Sequence, residues 1–210
     1  MAAPSASAQR SAWLKQLHQW HWISSALCLI GMILFSVTGI TLNHAADIGA
    51  TPVVTQLKGQ LPAPLLQRLQ PADDEQERKA PLTPELRGWL ADTLQLRLDE
   101  RDAEWSPEEI YLPLPRPGGD AWLRVQRDSG AVEYELTERG WVSYFNDLHK
   151  GRHTGTAWSW FIDIFAVACL VFSITGLLIL KMHATNRPST WPIVGLGLLL
   201  PFLLALLFIH

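Results

Sequence analysis

Three uninterrupted apolar stretches dominate the chain: Trp22–Leu42, Trp158–Leu180 and Trp191–Ile209. Each is close to the ~20 apolar residues with which a helix crosses the hydrocarbon core of a bilayer. Asp163 is the one charge inside them. Between the first two lies a polar block holding nearly all the acids. The pattern predicts a membrane protein with three transmembrane α-helices, over 22–42, 156–182 and 191–210. An α+β domain over 43–155 is inserted between the first two. Residues 1–21 form a tail and the interfacial start of the first span, and 183–190 form a short loop.

Within the polar block, Pro81–Leu98 reads as a helix. Thr83 is its N-cap, and Leu86, Leu90, Leu94 and Leu98 recur on one face. The segments "EEIYLPLP", "AWLRVQ" and "AVEYELT" read as strands, with "RDSG" as the hairpin turn between the last two. The acid-rich "PADDEQERKAP" reads as a solvated linker. No nucleophile–base constellation, phosphate loop or Cys/His metal spacing marks this domain, and nothing in it points to nucleic acid.

Charge sets the expected orientation. The N-terminal tail carries Arg10 and Lys15, and the 183–190 loop with its flank carries Lys181 and Arg187, with no acid in either. Residues 43–155 hold 19 Asp/Glu against 13 Lys/Arg. Cationic short loops stay in the cytoplasm, so the domain is expected outside, with the N-terminus cytoplasmic. Trp13, Trp20, Trp22, Trp141, Trp158, Trp160 and Trp191 fall at span ends, as an aromatic belt would. The first run is too long for the roughly 7–15-residue core of a cleaved signal peptide, and no A-x-A site follows it immediately. Cys28 and Cys169 read as packing residues at different depths, and the terminal His210 as an interfacial polar group.

A repeat lies inside the first two spans. Phe35–Gly39 is "FSVTG" and Phe172–Gly176 is "FSITG". Leu-His precedes each, at His18 and His149, and another histidine follows each, His44 and His183. Since successive spans run in opposite directions, the two units have inverted topology. Antiparallel helices then bring His18 level with His183, and His44 level with His149 or His153. Facing imidazoles with Gly and Thr between them suit the axial ligation of a b-type haem. With no C-x-x-C-H motif, attachment would be non-covalent. Asp163 is costly inside a span unless paired or wet; it could orient a ligating histidine or sit at the interface.

The segments "LHQW", "TGITLNH", "LHKGRHTG" and "SITGLLIL", with the strand–Asp-x-x-Gly–strand run "AWLRVQRDSGAVEYE", resemble the PepSY-associated transmembrane helix family over most of residues 14–183. Its members include haem-containing inner-membrane reductases of ferric siderophores. The resemblance implies that 43–155 is a periplasmic PepSY-like domain, and that the chain reduces ferric iron or ferric chelates there in support of iron uptake. It implies haem b, one or two per subunit, with His18, His44, His149 and His183 as iron ligands. His21 and His153 are additional, and His153 would match the height of His44 in a straight helix. Electrons would come from a cytoplasmic reductant or quinol. Those reductases have four spans, so a homodimer sharing its haem would restore a four-helix core.

His18 and His44 are 26 residues apart, roughly 39 Å of helix, which leaves a long gap between two ligated levels. Two other classes stay open. A regulatory or scaffold protein would bind a partner through the external domain. A metal or proton transporter would use the histidines as a relay, though three spans are few for such a path.

Overall fold

The computed structural model describes residues 5–71 and 76–209. The middle of the acidic linker and His210 lie outside them. In chain order the elements are α1 (Ala6–Asn43), β1 (Val53–Gln60), α2 (Ala63–Arg68), β2 (Arg78–Pro81), α3 (Pro84–Thr93), β3 (Asp102–Trp105) and β4 (Glu109–Pro113). Then follow β5 (Gly119–Gln126), β6 (Ala131–Glu138), α4 (Trp141–Lys150), α5 (Gly155–His183), a 3-10 turn (Ala184–Asn186) and α6 (Thr190–Phe208). The chain divides into two compact units, 1–34 with 160–210, and 35–159.

Three helices are long and apolar enough to cross a membrane: those covering Ser7–Asn43, Gly155–Asn186 and Thr190–Phe208. Their most apolar windows bury only 11%, 6% and 0% of residues inside the protein. Apolar surface left this open belongs in lipid rather than water. The first helix does not begin at Trp22 as the hydropathy predicts. No Gly or Pro separates Ala6 from Trp22, so the tail continues the same helix for 38 residues in all. In the first unit, α1 and α5 approach closely at Gly31. A Cβ there would stand 2.4 Å from a ring carbon of Phe165, so only glycine leaves that ring its place. Cys28 is fully buried, with its thiol 3.6 Å from the sulfur of Met32, and it is near enough to Cys169 for the two to interact, so they are not at different depths. Pro201 lies inside α6, none of whose residues is buried.

In the second unit the six strands form one antiparallel sheet in the order β1-β6-β5-β4-β3-β2. Side chains alternate across a strand, and β5 obeys this: Ala121, Leu123 and Val125 are buried, while Asp120 and Gln126 face out. The buried face meets α3, whose Leu86 and Leu90 pack with Ile110, Leu112, Leu123, Val125 and Val132. Leu65 and Leu66 of α2 join the same core. The α3 helix is shorter than the Pro81–Leu98 periodicity predicts. Thr83 does cap it, its hydroxyl accepting from the Leu86 amide. The helix then ends at Thr93, because Gln95 turns left-handed at φ 58° and the Leu96 amide bonds back to the Leu90 carbonyl. Leu94 and Leu98 still pack on the core from beyond its end.

The β5–β6 hairpin turns through Arg127–Gly130, with Val125 opposite Val132. Arg127 is 2% exposed. Its guanidinium donates to the carbonyls of Leu69 (2.6 Å) and Ser106 (2.5 Å) and lies over the Trp105 ring. A buried cation with carbonyl acceptors and an aromatic face escapes most of the penalty that an unpaired one would incur.

A further departure concerns residues 141–155. α5 begins at Gly155, where the second span is expected, but the straight helix that would carry His153 to the height of His44 is absent, and His149 lies on a separate helix, α4. That helix stops at Gly151, which is left-handed at φ 65°. His153 (φ 57°) and Gly155 (φ 77°) continue the break. Successive positive φ values cannot belong to an α-helix, so the chain turns here before entering α5.

Candidate functional site

Histidines gather on α1, α4 and α5, and their Nδ1 atoms share one property. On α1, the Nδ1 of His18 is 2.8 Å from the carbonyl of Leu14. On α5, the Nδ1 of His183 is 2.9 Å from the carbonyl of Ile179. A carbonyl oxygen only accepts, so each Nδ1 carries the hydrogen. The neutral ring then holds its lone pair on Nε2. The two rings face each other edge-on, with centroids 6.2 Å apart and planes at 86°. The expected His18–His183 juxtaposition is therefore present as a pair of rings within one unit.

His21 meets the second repeat motif. Its Nδ1 lies 3.1 Å from the Thr175 hydroxyl and 3.1 Å from the Phe172 carbonyl. Thr175 spends its own hydroxyl hydrogen on the carbonyls of Val171 (2.7 Å) and Phe172 (3.0 Å), so it accepts from His21. The imidazole stacks on the Phe172 ring at 4.6 Å and 15°. Gly176 lies beneath its edge, where a Cβ would come within 3.2 Å of Cε1.

His149 meets the first motif in the same manner, inside the other unit. Its Nδ1 is 2.6 Å from the Thr38 hydroxyl, and Thr38 donates to the Phe35 carbonyl. Its ring lies 4.8 Å from Phe35, tilted by 43°. The Cβ position of Gly39 is 3.8 Å from its Cε1. Phe-Ser-x-Thr-Gly is thus a histidine cradle used twice. In each the Phe supplies a ring face and the Thr a hydroxyl to Nδ1, while the Gly backbone lies beside the imidazole edge. In both cradles Nε2 is the nitrogen left over.

The remaining expected residues fall elsewhere. His44 is exposed, with its Nδ1 3.2 Å from the carboxylate of Asp47. The side-chain partner of His149 is Thr38 and that of His44 is Asp47, so the expected facing of His44 with His149 is not among the ring contacts of the described residues. His153 is exposed in the turn after α4, and the straight helix that would have raised it to the height of His44 does not exist. Asp163 is exposed on α5, and none of these Nδ1 atoms takes it as partner. Among the described residues no group of three or more His, Cys, Asp or Glu could hold a metal ion.

Sequence reasoning treated His21 as additional and Thr38 and Thr175 as spacers. The signal for their role was the repeat itself: a hydroxyl retained at the same place in two apolar helices.

A search of curated proteins and one of solved structures each returned no match. A family model described as PepSY_TM-like matches residues 12–210, from the start of α1 through α6. The three apolar helices and the antiparallel sheet agree with what that name denotes, a PepSY domain joined to transmembrane helices. The chain is a membrane protein and belongs to the PepSY_TM-like family.

Proposed function

We propose that this protein is a b-type haem protein of the bacterial inner membrane that passes electrons to ferric iron or ferric chelates. In this reading its N-terminus is cytoplasmic and its PepSY domain periplasmic, as the cationic tail and acidic domain favour. The observation that carries the proposal is the tautomer shared by His18, His21 and His183, each with Nδ1 on a backbone carbonyl. Metal-ligating histidines hold one ring nitrogen on a carbonyl or similar acceptor, which fixes the ring and frees the other nitrogen. His18 and His183 meet this condition as facing rings. His18 and His183 would hold the haem: their ring centroids are 6.2 Å apart, and two neutral imidazoles with Nε2 free are a donor set that haem iron takes.

A haem held there would supply a one-electron carrier in the membrane. The chain's own residues do the rest. The Leu14 and Ile179 carbonyls hold the two rings in the ligating tautomer. Arg10, whose side chain donates to the Met182 carbonyl, ties the start of α1 to the end of α5 beside the pair. Thr38 holds the His149 ring by its Nδ1 within the unit that carries the sheet, leaving Nε2 free of protein partners among the described residues. His149 is then the candidate at the end where a ferric complex too polar to cross the bilayer would arrive. The electron donor would be a cytoplasmic reductant or a quinol.

The test is the reduced-minus-oxidised visible spectrum of protein purified from cells supplied with haem precursors. A b-type spectrum is expected, with pigment that acid–acetone removes. His18→Ala and His183→Ala should each abolish or shift it. Membrane vesicles should reduce a ferric chelate in a manner dependent on the intact pair. A colourless, folded protein would rule the proposal out.

A further inference from the structure

α4 is amphipathic, but in the sense opposite to that of a helix facing water. Its polar Asn146 and Asp147 are buried. Its Trp141 is 76% and its Phe145 45% exposed, and Val142 and Tyr144 are exposed beside them. The three rings touch one another, with centroids 5.7 to 6.3 Å apart. Such a patch in water would be a standing liability.

The inner face explains why the helix cannot rotate to hide it. Asp147 accepts the amide of Gly118 at 2.9 Å. Gly118 is left-handed at φ 71°, with the Tyr144 backbone only 2.8 Å from its Cβ position. The Asn146 carbonyl oxygen accepts the Thr41 hydroxyl at 2.6 Å. His149 is held by Thr38, and the Leu148 carbonyl accepts the indole N–H of Trp158 at 2.9 Å. Thr38 and Thr41 lie in the last two turns of α1, and Trp158 in the first turn of α5. The C-terminal half of α4 is thus fastened to the very residues at which two membrane-spanning helices leave the apolar layer.

We infer that α4 lies in the headgroup layer of the bilayer that α1 and α5 cross, with Trp141, Tyr144 and Phe145 reaching the acyl boundary. Charge supports this occupant over a protein partner. From Arg139 to Arg152 the exposed charges are Arg139, Lys150 and Arg152, while the sole acid, Asp147, is turned inward. Glu138, exposed just before this segment, is paired with Arg116 at 3.8 Å, so cations remain in excess, and exposed aromatics with flanking cations match a surface of phospholipid phosphates above acyl chains. The helix thereby fixes the height of the PepSY domain over the lipid.

The experiment uses the full chain carrying Cys28→Ala and Cys169→Ala, reconstituted in nanodiscs of phosphatidylcholine with phosphatidylglycerol. Single cysteines at Trp141→Cys, Tyr144→Cys and Phe145→Cys, with Glu108→Cys as an exposed control in the β3–β4 turn, are spin-labelled. Labels on α4 should be more accessible to oxygen than to a polar nickel chelate, and the order should reverse at 108. As a second measurement without a label, Trp141→Phe should reduce the quenching of tryptophan emission by brominated phosphatidylcholine. Nickel accessibility on α4 equal to that at 108 would overturn the inference. Labels shielded from both reagents would overturn it too, since protein rather than lipid would then cover the face. So would unchanged quenching in Trp141→Phe.

Discussion

Replacing Thr38 and Thr175 separately by Val tests the duplicated cradle, because the two sites are alike in chemistry but differ in redundancy. Valine keeps the branched shape and removes the hydroxyl. At His21 the Phe172 carbonyl lies as close to Nδ1 as the Thr175 hydroxyl does, 3.1 Å in each case, so an acceptor survives Thr175→Val. Hydrogen bonds between membrane helices are worth about 0.6 kcal/mol on average, and Thr175→Val should cost about that much. At His149 the hydroxyl of Thr38 is the Nδ1 partner, and its removal leaves a half-buried ring nitrogen unmatched. That costs about 1–3 kcal/mol, and with the ring no longer held it should weaken any metal held at Nε2 by about 10–100-fold. Equilibrium unfolding in mixed micelles of increasing SDS fraction measures both variants, and Thr38→Ser should restore the first. Equal costs at the two sites, or a larger one for Thr175→Val, would refute the assigned hydrogen-bond pattern.

Gly31→Val should push the Phe165 ring out of place and destabilise the α1–α5 pair by about 1–3 kcal/mol, an effect measurable in the same titration and partly relieved by adding Phe165→Leu. Mild oxidation of the native protein should join Cys28 to Cys169, visible as a crosslinked peptide in a non-reducing map; its absence after full unfolding and rapid oxidation would be uninformative, so the folded protein is the one to assay. Leu90→Ala, at a fully buried position, should cost the PepSY domain about 2–5 kcal/mol, read as a lower melting temperature by circular dichroism. Gly118→Ala, clashing with the Tyr144 backbone at a left-handed site, should loosen α4 and raise amide exchange over residues 141–150 while leaving β5 protected.

The spans, the Thr83 cap and the strands around "RDSG" were legible because each is written in local pattern: continuous apolarity, one capping hydroxyl, strict alternation. β1 was missed because its residues are mostly exposed along its length, so it lacks the alternation by which a half-buried strand is known. The start of α5 was legible from its apolar run, whereas the straight helix through His153 was not to be had, as the two glycines of "LHKGRHTG" signal. The pairing of His18 with His183 follows from helix levels alone. His21 and His149 do not, because a cradle depends on which side of a helix a residue faces. Level arguments carry no information about azimuth. Chemistry did not set the repeat apart either, until the Thr hydroxyls were seen to meet the histidine Nδ1 atoms.

The buried guanidinium of Arg127 has a consequence for how the PepSY domain opens. Its two short bonds clasp the end of α2 and the β3–β4 turn to the tip of the β5–β6 hairpin, and Gln70 bonds back to the Arg127 carbonyl. Hairpin tips in other sheets fray first, since their last rungs hold only each other. Here the tip cannot separate without exposing three segments and stranding a cation in an apolar surround. Fraying is thereby converted into an all-or-none event, and the amides of Val125 and Val132 should exchange with solvent as slowly as those at the centre of β5.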